Sequence, residues 1–240
     1  KAEISRNLMP VGSLDLVVVD LIIDQPDLRS TLDAMVMFSS QWWVNYGEAI
    51  APHMSEFLRD KDLSVIELAL DKYHYEQVAG MAGGPGRNSA LVRQVVGMEV
   101  DAINIATLLR ICGLEIEEGE AADYFIPGGM LDAEEFARLL SLGQIERIVD
   151  ELAADTPYRE PLQRAMELLD KRGETVFQDE LERYIMRRCL TISEDTLGIG
   201  VIIKYMWRKY LEVKNLRITV RGKSIGLIES QIREELIALD

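Results

Sequence analysis

From Leu91 to Cys112, apolar side chains fall at positions 91, 95, 98, 102, 105, 109 and 112, in alternating steps of four and three. Successive helical residues turn by about 100°, so these steps keep one stripe along one face of a long α-helix. A second stripe follows at Ile202, Met206, Val213, Leu216 and Val220, with Lys209 as its one interruption. Both stripes predict a long helix with a packed seam. Gly80, Gly83, Gly84, Pro85 and Gly86 break the chain before the first of these helices; Ser193, Asp195 and Gly198 do so before the second. Pro26, Pro52, Pro127 and Pro161 fall at predicted helix starts or connections, where a missing N–H costs little. The segment IESQIREELIAL (228–239) predicts a closing amphipathic helix.

The two stripes belong to a longer repeat. EVDAINIATLLR (99–110) superposes on YLEVKNLRITVR (210–221) at an offset of 111, pairing Asp101 with Glu212, Asn104 with Asn215 and Arg110 with Arg221. The same offset sets LDKY (70–73) on LERY (181–184) and Leu91 on Ile202. Nearer the front of each copy the offset is 117, and MPVGSLD (9–15) meets IPGGMLD (126–132). Four ordered matches predict a fold built by duplication, with lobes at 1–117 and 118–240. The repeat also settles a local ambiguity. LDLVVVDLII (14–23) reads as a strand from its β-branched residues. Its partner, LDAEEFARLLS (131–141), is plainly an amphipathic helix, and duplicated units share a fold, so both are assigned as helices. Each copy then reads as a short helix after a Pro-x-Gly turn, a middle group of helices, and one long helix. The predicted class is all-α.

Composition removes several functions. Forty-one acidic against 26 basic side chains leave a formal charge of −15, which opposes nucleic acid and anionic lipid as partners. The stretch from Lys204 to Lys223 is a local exception, with Arg208, Lys209, Lys214, Arg217 and Arg221 between. Two cysteines, Cys112 and Cys189, are too few for a disulfide framework and lie in apolar helical stretches, as reduced core thiols. The longest apolar run, LDLVVVDLII, has ten residues and two aspartates, short of the ~20 a membrane-spanning helix needs. The opening residues show no signal-peptide pattern, and Lys1 is not an initiator Met, so the native start is expected upstream.

Candidate chemistry is sparse. The loop GMAGGPGRNS (80–89) precedes a helix but lacks the Gly-Lys-Ser/Thr ending and a preceding strand of a phosphate loop; an interhelical turn is the plainer reading. Glu67, Asp71 and His74 share one helix face, resembling half of a carboxylate-bridged metal site. The repeat places Ile185 opposite His74, so the second half is absent, and a solvated or interfacial histidine is the simpler account. No Ser, Cys or Thr has an evident base and orienting carboxylate. No catalytic residue, cofactor site or metal site is assigned. Of the adjacent Trp42 and Trp43, one is expected in the core and the other at a contact surface, since neighbours point about 100° apart.

The repeated polar set is the sharper signal. Asp101 and Asn104 share a flank beside the first stripe, Arg110 projects on the other side, and Glu212, Asn215 and Arg221 repeat that geometry. Two readings stand. An asparagine beside a packed seam cross-links a neighbouring segment, or the paired flanks offer equivalent donors to a partner.

At these residues a resemblance becomes close. KYLEVKNLRITVRGKSIGLIESQIREEL (209–236) resembles the C-terminal signature of the C subunit of archaeal and bacterial V/A-type rotary ATPases, equivalent to the d subunit of the vacuolar enzyme. VDAINI (100–105) and FIPGGML (125–131) resemble further motifs of that family, and the likeness covers essentially the whole chain. Its most specific part is the ordered set Glu212, Asn215, Arg217, Arg221, Gly222, Lys223 and Gly226. The resemblance implies a funnel of three helical lobes, seated on the membrane proteolipid ring and receiving the foot of the central shaft. It implies a non-catalytic coupling role for a cytoplasmic protein held at the membrane through its complex, with no span of its own. This chain carries two copies where the family has three, so an N-terminal lobe is expected to be missing; after Arg221, GKSIGL stands against ICGL of the first copy. The expected partner-interface residues are Asp101, Asn104, Arg110, Glu212, Asn215, Arg217, Arg221 and Lys223, setting register while apolar side chains near the Pro-Gly turns and lobe rims supply affinity. One charge crossing ~100 mV yields ~2.3 kcal/mol, and holding several such steps calls for interfaces of at least ~1,600 Å². Joint disruption of Asn215 and Arg221 is expected to uncouple hydrolysis from ion pumping. The alternatives are a helical metalloprotein using Glu67, Asp71 and His74, and a helical adaptor unrelated to ATPases.

Overall fold

The computed structural model describes residues 16–38, 46–114, 116, 121–192 and 197–237, all helix, turn or coil with no strand among them. The chain forms two compact units, Lys1–Gly80 and Met81–Asp240. The MPVGSLD turn, Trp42, Trp43, Ser193, Asp195 and the expected lobe boundary at 117/118 lie outside the described residues.

In the first unit, α1 (Leu16–Ile23) and α2 (Leu28–Phe38) precede α3 (Tyr46–Ile50), a 3-10 turn carrying Pro52 (Ala51–His53), α4 (Met54–Asp60) and α5 (Ser64–Met81). The β-branched segment is thus helical, as its repeat partner required. Leu32, Ile50, Phe57 and Ile66 form the core of this unit. Lys61 ends α4 in the left-handed region at φ 59°, its N–H bonded to the Phe57 carbonyl.

The second unit holds α6 (Arg87–Ile111), α7 (Ala121–Tyr124), α8 (Ala133–Leu140), α9 (Ile145–Asp155), α10 (Arg159–Arg172), α11 (Thr175–Thr191), α12 (Ile199–Ser224) and α13 (Glu229–Glu235). Helix α11 is central, packing against α6, α10 and α12. The largest core joins Ile105, Leu108 and Leu109 of α6 to Phe136 and Leu139 of α8, Ile148 and Leu152 of α9, and Phe177 and Leu181 of α11. Helix α8 starts where the sequence provides a cap: the Asp132 carboxylate accepts the Glu135 N–H at 2.8 Å. Arg138 in its last turn pairs with both Glu135 and Glu151, tying α8 to α9.

The glycine-rich loop ends at Gly86, which caps α6 at φ 115°, a conformation few side chains tolerate. Arg93 donates to the Ala82 and Gly84 carbonyls at 2.7 and 3.0 Å. The loop thus points carbonyls at a cation, a polarity unsuited to cradling phosphate. It is an interhelical turn.

The first stripe is buried or partly buried along its length, as expected of a seam. The second requires a correction. Ile202, Met206, Val213, Leu216 and Val220 are all exposed, at 48–67%. Helix α12 instead packs through Ile203, Trp207 and Leu211, on roughly the opposite side at 100° per residue. It is apolar on two faces, and only one is covered. The closing helix is also shorter than its amphipathic pattern: α13 stops at Glu235 because Asn215 captures the backbone of Ile237.

Candidate functional site

The repeated asparagines make the same structure twice. Asn104 Nδ2 donates to the Ile126 carbonyl at 2.7 Å, and its Oδ1 accepts the Ile126 N–H at 2.9 Å. Asn215 Nδ2 donates to the Ile237 carbonyl at 3.0 Å, and its Oδ1 accepts the Ile237 N–H at 3.0 Å. Each carboxamide satisfies both polar groups of one peptide residue that helix or sheet does not. The spacing is 22 residues in both cases. Ile126 and Ile237 are themselves one repeat of 111 apart, a pairing visible had that offset been carried past Arg110. Of the two readings for these asparagines, the internal cross-link is the one the structure displays.

Asp101 sits one turn before Asn104, fully buried. Its Oδ1 accepts the Met130 and Leu131 N–H groups at 2.7 and 3.2 Å, and its Oδ2 accepts the Tyr158 hydroxyl at 2.7 Å. Burial pushes this carboxyl above its ordinary range, while the Tyr158 hydroxyl and the Leu131 and Met130 amides pull it back. The Pro-Gly-Gly turn fits here only without a side chain: a Cβ on Gly129 would lie 2.0 Å from Asp101 Oδ1. Tyr158, stacked edge-on to Tyr184 at 5.5 Å, has no counterpart among the sequence candidates. A lone tyrosine 57 residues away gives no periodic or motif signal. With no exposed surface and its oxygens occupied, Asp101 shapes the lobe and cannot touch a partner.

Glu212, its repeat equivalent, is exposed and pairs only with Lys209, at 2.6 Å, among the described residues. Arg110, Arg217, Arg221 and Lys223 are exposed as well. Arg217 and Arg221 flank Val213, Leu216, Val220 and Ser224 in a shallow groove of about 550 Å³ along α12. The structure therefore divides the eight candidates: Asp101, Asn104 and Asn215 hold the chain's own backbone, whereas Arg110, Glu212, Arg217, Arg221 and Lys223 face outward. Sequence reasoning also missed Glu182, which accepts the Tyr210 hydroxyl at 2.8 Å and the Lys214 ammonium, fixing α12 to α11.

The chemical inventory is otherwise bare. Glu67, Asp71 and His74 are exposed on α5, and the Tyr46 hydroxyl lies 3.4 Å from His74 Nδ1. Among the described residues no three His, Cys, Asp or Glu side chains converge as a metal site. Burial drives the Cys189 thiol up to about 12 and also raises that of Cys112, which keeps both protonated and poorly nucleophilic. No described helix is long and apolar enough to cross a membrane.

These features define an all-helical scaffold whose motif residues brace its own turns and leave one long helix partly bare. Residues 1–235 match the family described as ATP synthase (C/AC39) subunit, and the chain belongs to that family. It is similar to the C subunit of the A-type ATP synthase of Methanocaldococcus jannaschii, 29% identical over 81% of this chain and 49% of that protein. The corresponding protein of Methanococcoides burtonii is 28% identical over 98% of this chain and 63% of its own length. The C subunit of the V-type ATP synthase of Thermus thermophilus is 30% identical over 80% and 55%. The chain thus spans from about half to less than two thirds of the length of these relatives.

Proposed function

We propose that this chain serves as a non-catalytic central-rotor subunit of a V/A-type rotary ATPase, joining the central shaft to the membrane proteolipid ring and passing torque between them. The observation that carries the reading is membership of the C/AC39 family along residues 1–235. Two features of the chain support it. The most polar buried motif residues are spent on bracing turns, which suits a part that transmits load without deforming. The outward set, Arg110, Glu212, Arg217, Arg221 and Lys223, provides charged positions that set register against neighbouring subunits, with apolar surface beside them for affinity. The protein is then peripheral, cytoplasmic and attached to the membrane only through its complex.

The test is reconstitution of a rotary ATPase depleted of its own C/AC39 component with this chain, following ATP hydrolysis and ATP-driven ion pumping together. The expected outcome is restored pumping that the double variant R217E/R221E loses while hydrolysis persists. Failure of the chain to join ring and shaft in one particle, or equal pumping without it, overturns the reading.

A further inference from the structure

We infer that Arg93 is the lock of an otherwise loose joint, a positioning residue that fixes how the chain passes from α5 into α6. Five residues, Ala82 to Gly86, connect the two helices just past the boundary of the compact units at Gly80, and three of the five are glycine. Glycine gives a connection its widest backbone freedom, and burial does little to restrict it here, since Gly83, Pro85 and Gly86 are exposed. Among the described residues, no turn or cap hydrogen bond between backbone groups involves residues 83–85. The polar fastening comes from one side chain. Arg93 Nη1 donates to the carbonyls of Ala82 and Gly84, 11 and 9 residues back along the chain.

The two carbonyls lie on either side of Gly83, so making both bonds at once restricts the torsions between them. Arg93 itself stands in the second turn of α6, a 25-residue helix, and so ties the joint to a stiff element. Its guanidinium has no ion pair among the described residues, which leaves its charge to strengthen the bonds to the joint. The sequence marks the same place twice. At the offset of 111, Arg93 falls on Lys204, so a cation recurs in the second turn of each long helix, just after a break in the chain. Any load that passes along the backbone from one unit to the other crosses these five residues, and a slack joint would absorb it. On the rotor reading above, on which this consequence rests, Arg93 keeps the joint stiff enough to carry torque.

¹⁵N relaxation of the protein reads the joint directly. In the wild type, the Gly83, Gly84 and Gly86 amides are expected to have order parameters close to those of α6, about 0.85. In R93A, and in R93M, which keeps the apolar stem without the donors, they are expected to fall below about 0.6, while the α6 amides beyond Val95 keep their shifts and order. R93K is expected to hold the joint, because both bonds leave from a single nitrogen and an ammonium offers three donors. In a rotary ATPase that the wild-type chain restores, R93M is expected to lose ATP-driven pumping while hydrolysis persists, and R93K to retain both. Glycine amides already below about 0.6 in the wild type, or as ordered in R93M as in the wild type, overturn the inference. So does an R93K joint as loose as that of R93M, or an R93M particle that pumps as the wild type does. If the wild-type chain itself restores no pumping, the rotor reading falls, and the relaxation measurement still decides the lock.

Discussion

Helices α6 and α12 carry similar sequence patterns at an offset of 111, and the environment treats them oppositely. Both are long, both carry an Asn that clamps a backbone 22 residues on, and both show an apolar stripe at steps of three and four. On α6 the stripe is core: Ile105 and Leu109 have 0% and 1% exposure. On α12 their counterparts Leu216 and Val220 have 58% and 67%. The pattern recurs, but the cover does not. Periodicity identifies the side of a helix that wants a partner, and another part of the molecule, or another molecule, decides whether it has one.

The contrast is sharpest at the carboxylates. Asp101→Ala leaves the buried Leu131 N–H, the part-buried Met130 N–H and the Tyr158 hydroxyl without their acceptor, at about 1–3 kcal/mol each and about 3–5 kcal/mol together. Glu212→Ala at the equivalent place removes a solvated pair and is expected to leave the unfolding midpoint unchanged. Urea denaturation of the two variants side by side measures the difference. Similar losses in both would mean that α12 is as firmly built in as α6. The apolar pair follows. Leu109→Ala opens a cavity in the main core and is expected to cost about 3 kcal/mol, whereas Val220→Ala is expected to cost under about 0.5 kcal/mol in the isolated chain. The asparagines differ less. Asn104 is fully buried and Asn215 only partly, so replacement by Ala is expected to cost about 2 and about 1 kcal/mol respectively, since water can reach the freed Ile237 backbone more readily than that of Ile126.

The fold class was legible because the repeat settled one local ambiguity: LDLVVVDLII alone reads as a strand, but its counterpart AEEFARLL admits only a helix. The long helices were legible from their stripes and the glycine breaks before them. What could not be read was cover. Ile203, Trp207 and Leu211 form a second apolar line on α12, and nothing in a linear sequence ranks that line above the one through Met206 and Val213. The polar motif was legible as a motif but not in its use. Asn104 and Asn215 carry no mark that separates a clamp from a contact, and only their 22-residue reach to Ile126 and Ile237 does so. Tyr158 and Gly129 were invisible because their roles depend on a turn folding back over Asp101.

The smallest effect concerns Glu99, which sits partly buried on α6 near the Cys189 thiol and the Tyr210 hydroxyl and bonds to no described residue. Burial raises its carboxyl above the ordinary glutamate value of 4.5. An acid whose folded value lies above its unfolded value favours folding fully below the unfolded value, and that contribution is lost as pH rises through the folded one. Above the unfolded value the buried Glu99 carboxyl therefore opposes folding relative to a neutral side chain, and Glu99→Gln is expected to raise the melting temperature at neutral pH. The gain should shrink as pH falls and vanish near pH 4, where wild type and variant carry the same charge. Arg208, the repeat position of Gly97, and Tyr210, that of Glu99, show that α12 has no matching carboxylate there, so no substitution on α12 should reproduce this pH dependence. Melting curves of Glu99→Gln and wild type from pH 4 to pH 8 decide it: a gain that is constant with pH would place the effect in packing, and a loss at neutral pH would mean that the carboxylate has a partner worth more than its burial costs.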